Sequence, residues 1–450
     1  MDDIPIGRTI PDGELFSISS DTFRQHLYLI GKTGTGKSTM LESMMLADIR
    51  AGRPFCLIDP HGTLADKIAD AVGEIDPKTG QDRVNETILF NPLSEGAPPV
   101  YNPFRGAEDI EDATLADHIS AALEHIFHDA WGNRMEDCLK NAMRLAIENN
   151  LSLADIPRIL IDDDFRASLT CTNLAVADYW HHEYAEYTDS FRDQVISPIL
   201  NKLRAFDTNP LLKRVVDGET TLDISAIMGN PVQRANGTWR RRKPKILLVS
   251  LSKRMGSKPS HVLGSLIVSR IAQAILDRET VPEELRQDFT LYIDEFQNFT
   301  SQAMADILDE ARKYRLRLVL CHQRRNQIAN QNLRDAVLGS ASTLVVFRLS
   351  AKDAEELVPE LGLRDSYGED RPHLLTKLPN YRAYVKTMDG KYPTDAVRIE
   401  TIPQALPTGS LKRVQTTTAR RYTRYASNEH RGVKCGSQSR AGSEPKRRAS

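Results

Sequence analysis

The chain has 450 residues, of which 40% are hydrophobic and 27% charged, enough for one large core or two moderate ones in an ordinary soluble globular protein. Its longest apolar runs, such as Ile246 to Val249 and Leu318 to Cys321, fall far short of the roughly 18 to 20 residues of a membrane helix, so no membrane-spanning segment is expected. The formal charge of −2 hides +9 on Leu411 to Ser450 and −11 on the rest, so any nucleic-acid contact by the body must be a local lining.

The N-terminus, MDDIPIGRTI, is acidic and lacks the basic flank and apolar stretch of a signal peptide, so a cytoplasmic protein is expected. The first strong element is a strand at His26 to Ile30. It runs into Gly31, Lys32, Thr33, Gly34, Thr35, Gly36, Lys37, Ser38 and Thr39, and then into a helical pattern of Met40, Leu41, Met44, Met45 and Leu46. This fits G-x-x-x-x-G-K-[ST] in the strand-then-helix context that a phosphate-binding loop requires. The glycines let backbone N–H groups converge on phosphates at a helix N-terminus, Lys37 can reach the β and γ oxygens, and Ser38 can ligate magnesium. Residues 31–39 are therefore the expected cradle for ATP and Mg2+.

Strands are expected next at Pro54 to Ile58 and Thr87 to Phe90. Between Asn102 and Asn230 the texture becomes helical, with Leu115, Ile119, Ala122, Leu123 and Ile126, then Met135, Cys138, Leu139, Ala142, Leu145 and Ala146. This reads as an all-helical insertion of about 125 residues, a domain-sized unit. Pro231 to Lys245 then places Asn236-Gly237, the strongest short hairpin signal, ahead of Trp239, Arg240, Arg241, Arg242, Lys243 and Lys245. Such a hairpin suits a DNA strand through phosphate pairing and stacking, or is a sheet edge protected by charge. The strand Lys245 to Leu251 leads to a second basic candidate for DNA phosphates, the loop Ser252 to Ser260 with Lys253, Arg254 and Lys258. Nothing resembles a zinc finger, helix-turn-helix or RNA-recognition motif, so base reading is not expected.

Phe289 to Ile293 is an apolar strand that ends in Asp294-Glu295. Because successive strand side chains point to opposite sides, the two carboxylates are expected to divide the work. Asp294 would hold the magnesium shell and Glu295 would position and deprotonate the attacking water. Ser301 to Arg312 reads as a helix with Met304, Ile307, Leu308 and Ala311 inward and Arg312 at the border of that stripe. Leu316 to Cys321 is another buried strand, ending in His322-Gln323. Gln323 can sense the γ-phosphate from a strand between the two motif strands, or is a turn amide. A strand at Ser342 to Phe347 leads to Arg348, and Tyr381 to Met388 with Ala396 to Ile402 form a terminal strand pair.

Strands this rich in Leu, Ile and Val without clean alternation are covered on both faces. The expected fold is therefore α/β, a RecA-like P-loop ATPase with a mostly parallel sheet plus an inserted all-α domain. The expected divisions are 1–104 and 231–406 for the two parts of the nucleotide-binding domain, 105–230 for the all-α insertion, and 407–450 for a disordered basic tail. Cys56, Cys138, Cys171, Cys321 and Cys435 are scattered without metal-site spacing, so free thiols and no zinc are expected.

Several segments together resemble the HerA/FtsK superfamily, and within it the coupling ATPases of type IV secretion and conjugation. They are HLYLIGKTGTGKST (26–39), CLIDPHGTLADKI (56–68), ETILFNP and YNPF (86–104), the run 246–275, FTLYIDEFQNF (289–299), ARKYRLRLVLCHQ (311–323) and VVFRLSAKDAEEL (345–357). The resemblance spans roughly Ile6 to Leu357. It implies nucleotide roles for Lys37, Asp294, Glu295 and Gln323, and puts Arg312 on a position similar to the family's trans-acting arginine finger. Arg348 competes for that role, and a solvated cation at a helix end is the other reading of Arg312. The resemblance further implies a homohexameric ring that moves DNA through a central pore, relaxosome or secretion-channel partners, and a peripheral place at the inner membrane through a partner. Typical conjugative coupling proteins begin with transmembrane helices, which this sequence does not show. A soluble HerA-type helicase of repair or phage defence, and an ATP-binding recruitment module with little hydrolysis, are the other functions left open.

Overall fold

The computed structural model describes residues 3–19, 22, 25–76, 79–94, 96, 98–105, 112–127, 131–299, 304, 307–308, 310–328, 330–402 and 407–422, with backbone alone at 112–114, 118, 125–127 and 253. In chain order the strands are β1 (Ile4–Thr9), β2 (Leu15–Ile18), β3 (His26–Ile30), β4 (Phe55–Asp59), β5 (Thr87–Phe90), β6 (Val232–Gln233), β7 (Trp239–Arg240), β8 (Ile246–Ser250), β9 (Phe289–Ile293), β10 (Leu316–His322), β11 (Ala341–Val346), β12 (Arg382–Lys386), β13 (Met388–Asp389), β14 (Tyr392–Pro393) and β15 (Val397–Glu400). Eleven of them form one sheet in the order β2-β1-β15-β12-β11-β3-β10-β9-β4-β8-β5. The seven strands from β11 to β5 are parallel. The other four add antiparallel at one side. This is the expected α/β fold, with β10 between the phosphate-loop strand β3 and the carboxylate strand β9.

Register decides what meets at the carboxyl edge. His322 pairs with Ile30 on one side of β10, and Leu320 pairs with Ile293 on the other. The residues that follow these strand ends, Gly31, Gln323 and Asp294, therefore emerge together. The strands read as continuous apolar runs because alternate residues enter two different cores. Tyr28, Ile30, Cys56, Ile58, Leu247 and Val249 join one. Leu27, Leu29, Phe55, Leu57, Ile246 and Leu248 join the other.

The first core receives the helices between β5 and β8, including Asp112–Phe127, Asn133–Glu148 and Asp189–Thr208, together with Ser257–Leu276. The second receives the helices Lys37–Arg50 and Thr63–Ala71. Fully buried Arg278 ties the exit of the helical segment to the turn before β10. It donates to Met228 O at 3.1 Å, Asn230 Oδ1 at 2.7 Å and Tyr314 O at 2.8 Å. Among the described residues, no helix is long and apolar enough to cross a membrane.

Two features differ from the sequence expectation. β1 and β2 were not foreseen, since both are short and the register shifts between Pro5 and Gly7. Gly7 lies so close to β15 that a Cβ would fall 2.6 Å from Ile399 Cδ1. Second, the stretch after Pro407 is not all disordered, because Leu411–Tyr422 is a helix. Val414 enters the second core, and the Thr418 hydroxyl accepts the Leu89 N–H of edge strand β5 at 3.1 Å. One apolar stripe and a capped strand edge offset ordering costs that average composition would not. The rest of the basic tail, 423–450, lies outside the described residues.

Candidate functional site

The loop 31–36 leaves β3 and turns into the helix Lys37–Arg50, with Gly34 (φ 75°) and Gly36 (φ 117°) in left-handed conformations. Lys37 starts the helix, and its Nζ donates to Gly31 O at 2.7 Å and Lys32 O at 3.2 Å, folded across its own loop. The other end of this helix is fastened beneath the site. Buried Asp48 accepts from Arg53 Nε at 2.5 Å and from the Tyr292 hydroxyl of β9 at 2.7 Å.

A cavity of about 410 Å³ opens at the carboxyl edge, lined by Thr33, Gly34, Gly36, Lys37, Ser38, Thr39, His61, Asp294, Glu295, Gln323 and Tyr381. Its oxygen donors Ser38 and Asp294 suit a hard cation such as Mg2+, and its size suits a nucleotide. Both carboxylates line it, although successive side chains within a strand would point to opposite sides. β9 ends at Ile293, and Glu295 is left-handed at φ 51°, which turns its side chain to the same side as that of Asp294. A non-glycine residue in that region is uncommon and, at a cavity wall, marks a conformation imposed by its surroundings. Here Gln297 Nε2 donates to Glu295 Oε2 at 2.7 Å, and Gln323 Nε2 donates to Oε1. Thr33 in turn donates to Gln323 Oε1 at 2.8 Å. The amide at the end of β10 thus bridges phosphate loop and carboxylate.

Burial, the neighbouring Glu295 and then Asp59 push the Asp294 carboxyl up to about 6. A raised carboxyl binds its proton more tightly in the folded state. Its stabilising contribution is complete below about pH 4 and lost as pH rises through about 6. Asp294→Asn should therefore stabilise the protein at pH 8 by up to about 3 kcal/mol and do almost nothing at pH 4. Urea unfolding at the two pH values checks this, and a difference independent of pH would contradict the repulsion.

Two lining residues escaped the sequence reading. His61 follows Asp59, whose carboxylate accepts the His61, Leu64 and Ala65 N–H groups at 2.8, 2.8 and 3.0 Å and so shapes the turn after β4. The Asp-Pro-His-Gly segment was the available signal. Tyr381 arrives from the start of β12, and no local pattern marked it.

The sequence profile of the type IV secretion-system coupling protein DNA-binding domain matches residues 13–370. The chain belongs to that family. Among solved structures, the unbound bacterial conjugative coupling protein TrwBdeltaN70 superposes with a TM-score of 0.59 at 19% identity, covering 90% of each chain. TrwB with an ATP analogue gives 0.61 at 19% identity, covering 90% of this chain and 91% of that one. VirB4 of Thermoanaerobacter pseudethanolicus gives 0.57 at 13% identity, covering 89% and 97%. At these identities the likeness is one of fold. No curated protein matches the sequence.

In this coupling-protein domain Met304, Ile307, Leu308 and Ala311 are buried as expected, and Arg312 is exposed. Residues 301–303, 305–306 and 309 of that predicted helix lie outside the described residues. Arg312 precedes β10 whereas Gln323 follows it, which puts them roughly 20 Å apart along the strand. An arginine side chain does not span that distance, so Arg312 does not reach the cavity of its own chain. Arg348 donates to Leu378 O at 3.3 Å and Asn380 Oδ1 at 2.8 Å, which makes it an anchor of the loop before Tyr381.

The two basic candidates lie at opposite ends of β8. β6 and β7 form the expected hairpin, with Arg234 N donating to Thr238 O at 2.8 Å. Much of its charge is satisfied internally. Arg241 donates to Glu284 O at 3.2 Å, Arg242 pairs with Asp223 at 3.2 Å, Lys243 pairs with Glu86, and Lys245 lies over Tyr422. Arg240 is exposed. Past the other end of β8, Arg254 and Lys258 are exposed on the cavity's side of the sheet, and the Lys253 side chain lies outside the described residues.

Proposed function

We propose that this chain is an ATP-driven DNA-translocating motor of a type IV secretion or conjugation system, working as a ring of identical subunits. The observation that carries this reading is the convergence of Lys37, Ser38, Asp294, Glu295 and Gln323 on one cavity in a member of the coupling-protein family. Related TrwB structures hold an ATP analogue in one case and ADP with Mg2+ in another, which supports ATP and Mg2+ here.

Residues 31–39 cradle the phosphates through backbone N–H groups, and Lys37 swings from its loop carbonyls to the β and γ oxygens. Ser38 and Asp294 would hold Mg2+, which when bound would supply charge neutralisation at the phosphates. Glu295, oriented by Gln323 and Gln297, positions the attacking water and takes its proton. Gln323 reads the γ-phosphate because it touches both Thr33 and Glu295. Arg312 completes the site of a neighbouring subunit. We read 1–104 with 231–406 as the motor domain and 105–230 as the inserted helical domain.

ATP turnover measured with and without single- and double-stranded DNA tests the proposal. Stimulation is expected, and turnover indifferent to both would overturn the translocase reading. DNA phosphates are expected to meet Arg254 and Lys258 more than Arg240, Arg241 and Arg242, since the hairpin cations are largely paired. Each duplex phosphate neutralised contributes about −0.9 to the slope of log affinity against log salt. Replacing Arg254 and Lys258 with alanine should make that slope shallower by roughly 2. The triple hairpin variant should change it less. Because the tail carries its own charge, the comparison belongs in a chain ending at Tyr422, which keeps the helix that caps β5. A larger effect from the hairpin would move the lining to the other end of β8.

A further inference from the structure

We propose that Tyr381 is the platform on which the purine base of the nucleotide stacks, an assignment that rests on the nucleotide reading of the cavity. Topology separates the two walls of that cavity. Asp294, Glu295 and Gln323 follow the ends of β9 and β10 on one side of β3, whereas Tyr381 immediately precedes β12, beyond β11 on the other side. The groups suited to phosphate transfer all lie on the first wall and on the loop. The part of a nucleotide that reaches the second wall is the end away from the γ-phosphate.

The backbone at Tyr381 is strained and firmly held. Its φ is 65°, a region that bulky residues rarely adopt and that glycine enters freely. The Tyr381 N–H donates to Thr35 O of the phosphate loop at 2.7 Å, and its carbonyl accepts from Thr401 N at 2.8 Å. Arg348 fixes the residues just before it. The strain is not spent on filling the core, because the residue is 51% exposed. A Cβ on Gly36 would lie 3.0 Å from Tyr381 Cα and 3.2 Å from its Cδ1, so the ring sits at the start of the phosphate-loop helix. An aromatic ring held half-exposed at that position offers a π-face to a base. Stacking of this kind tolerates either purine, because every base has a π-face.

The test compares binding of ATP and of inorganic tripolyphosphate, which has no base, to the full chain and to Tyr381→Gly, Tyr381→Phe and Lys37→Ala. Glycine removes the ring and suits the positive φ, so thermal unfolding of the unliganded variant should show no loss of stability. Tyr381→Gly should bind ATP roughly 5- to 100-fold more weakly. It should bind tripolyphosphate like the parent, and Tyr381→Phe should match the parent for both. Equal ATP affinity in Tyr381→Gly overturns the platform. So does a parallel loss for ATP and tripolyphosphate, since the residue would then only shape the loop. Failure of the underlying reading is separate: Lys37→Ala would bind both probes like the parent.

Discussion

Glu295→Gln should bind ATP about as well as the parent and hydrolyse it roughly 10²- to 10⁴-fold more slowly, the usual worth of a positioned general base. The geometry makes this substitution clean. Glu295 is buried, left-handed and held by two amide donors, Gln323 Nε2 and Gln297 Nε2. Glutamine keeps the shape and still accepts from Gln323, and a rotated Gln297 amide can offer its oxygen to the new NH2 group. What disappears is basicity. Lys37→Ala should fail earlier, at binding, because no other lysine lines the cavity among the described residues. Equilibrium binding of a fluorescent ATP analogue, paired with phosphate release, separates the two. Near-parental turnover in Glu295→Gln would remove that residue from the chemistry.

The second large effect concerns Arg312. Alone, Arg312→Ala should lose on the order of 10³-fold or more of its turnover, the range reported for arginine fingers. Mixing it with Glu295→Gln should restore activity that neither variant has. Arg312 lies at the amino end of β10 and Gln323 at the carboxyl end, so the guanidinium can meet a nucleotide only across a subunit interface. In randomly mixed rings about a quarter of the head-to-tail interfaces join an intact Glu295 to an intact Arg312. Phosphate release across mixing ratios should therefore peak between the pure variants. Silence at every ratio, with co-assembly verified by native mass spectrometry, would leave Arg312 as a solvated cation.

The parallel strands and the phosphate loop were legible because their signals are local. Each of the seven parallel strands is a short, largely apolar run, and the loop's glycines and Lys37 are close together in the chain. Asp294 and Glu295 stood out in the same way, as charges that end such a run. The direction of Glu295 did not, since its left-handed turn comes after β9 ends and depends on Gln323 and Gln297 reaching it. Composition did not show that hairpin cations have partners of their own: Arg242, Lys243 and Lys245 meet Asp223, Glu86 and Tyr422 from remote segments. The scarcity of aliphatic residues after Pro407 hid a helix there, in which Val414 enters the second core and Thr418 accepts from Leu89 of β5, more than 300 positions earlier in the chain. By itself, then, the sequence determined the fold class and the position of the phosphate-loop motif, because backbone pairing and loop geometry follow from neighbouring residues. Only the tertiary structure decided which charges remain exposed and brought Tyr381 to the cavity, because both depend on which strands the sheet sets side by side.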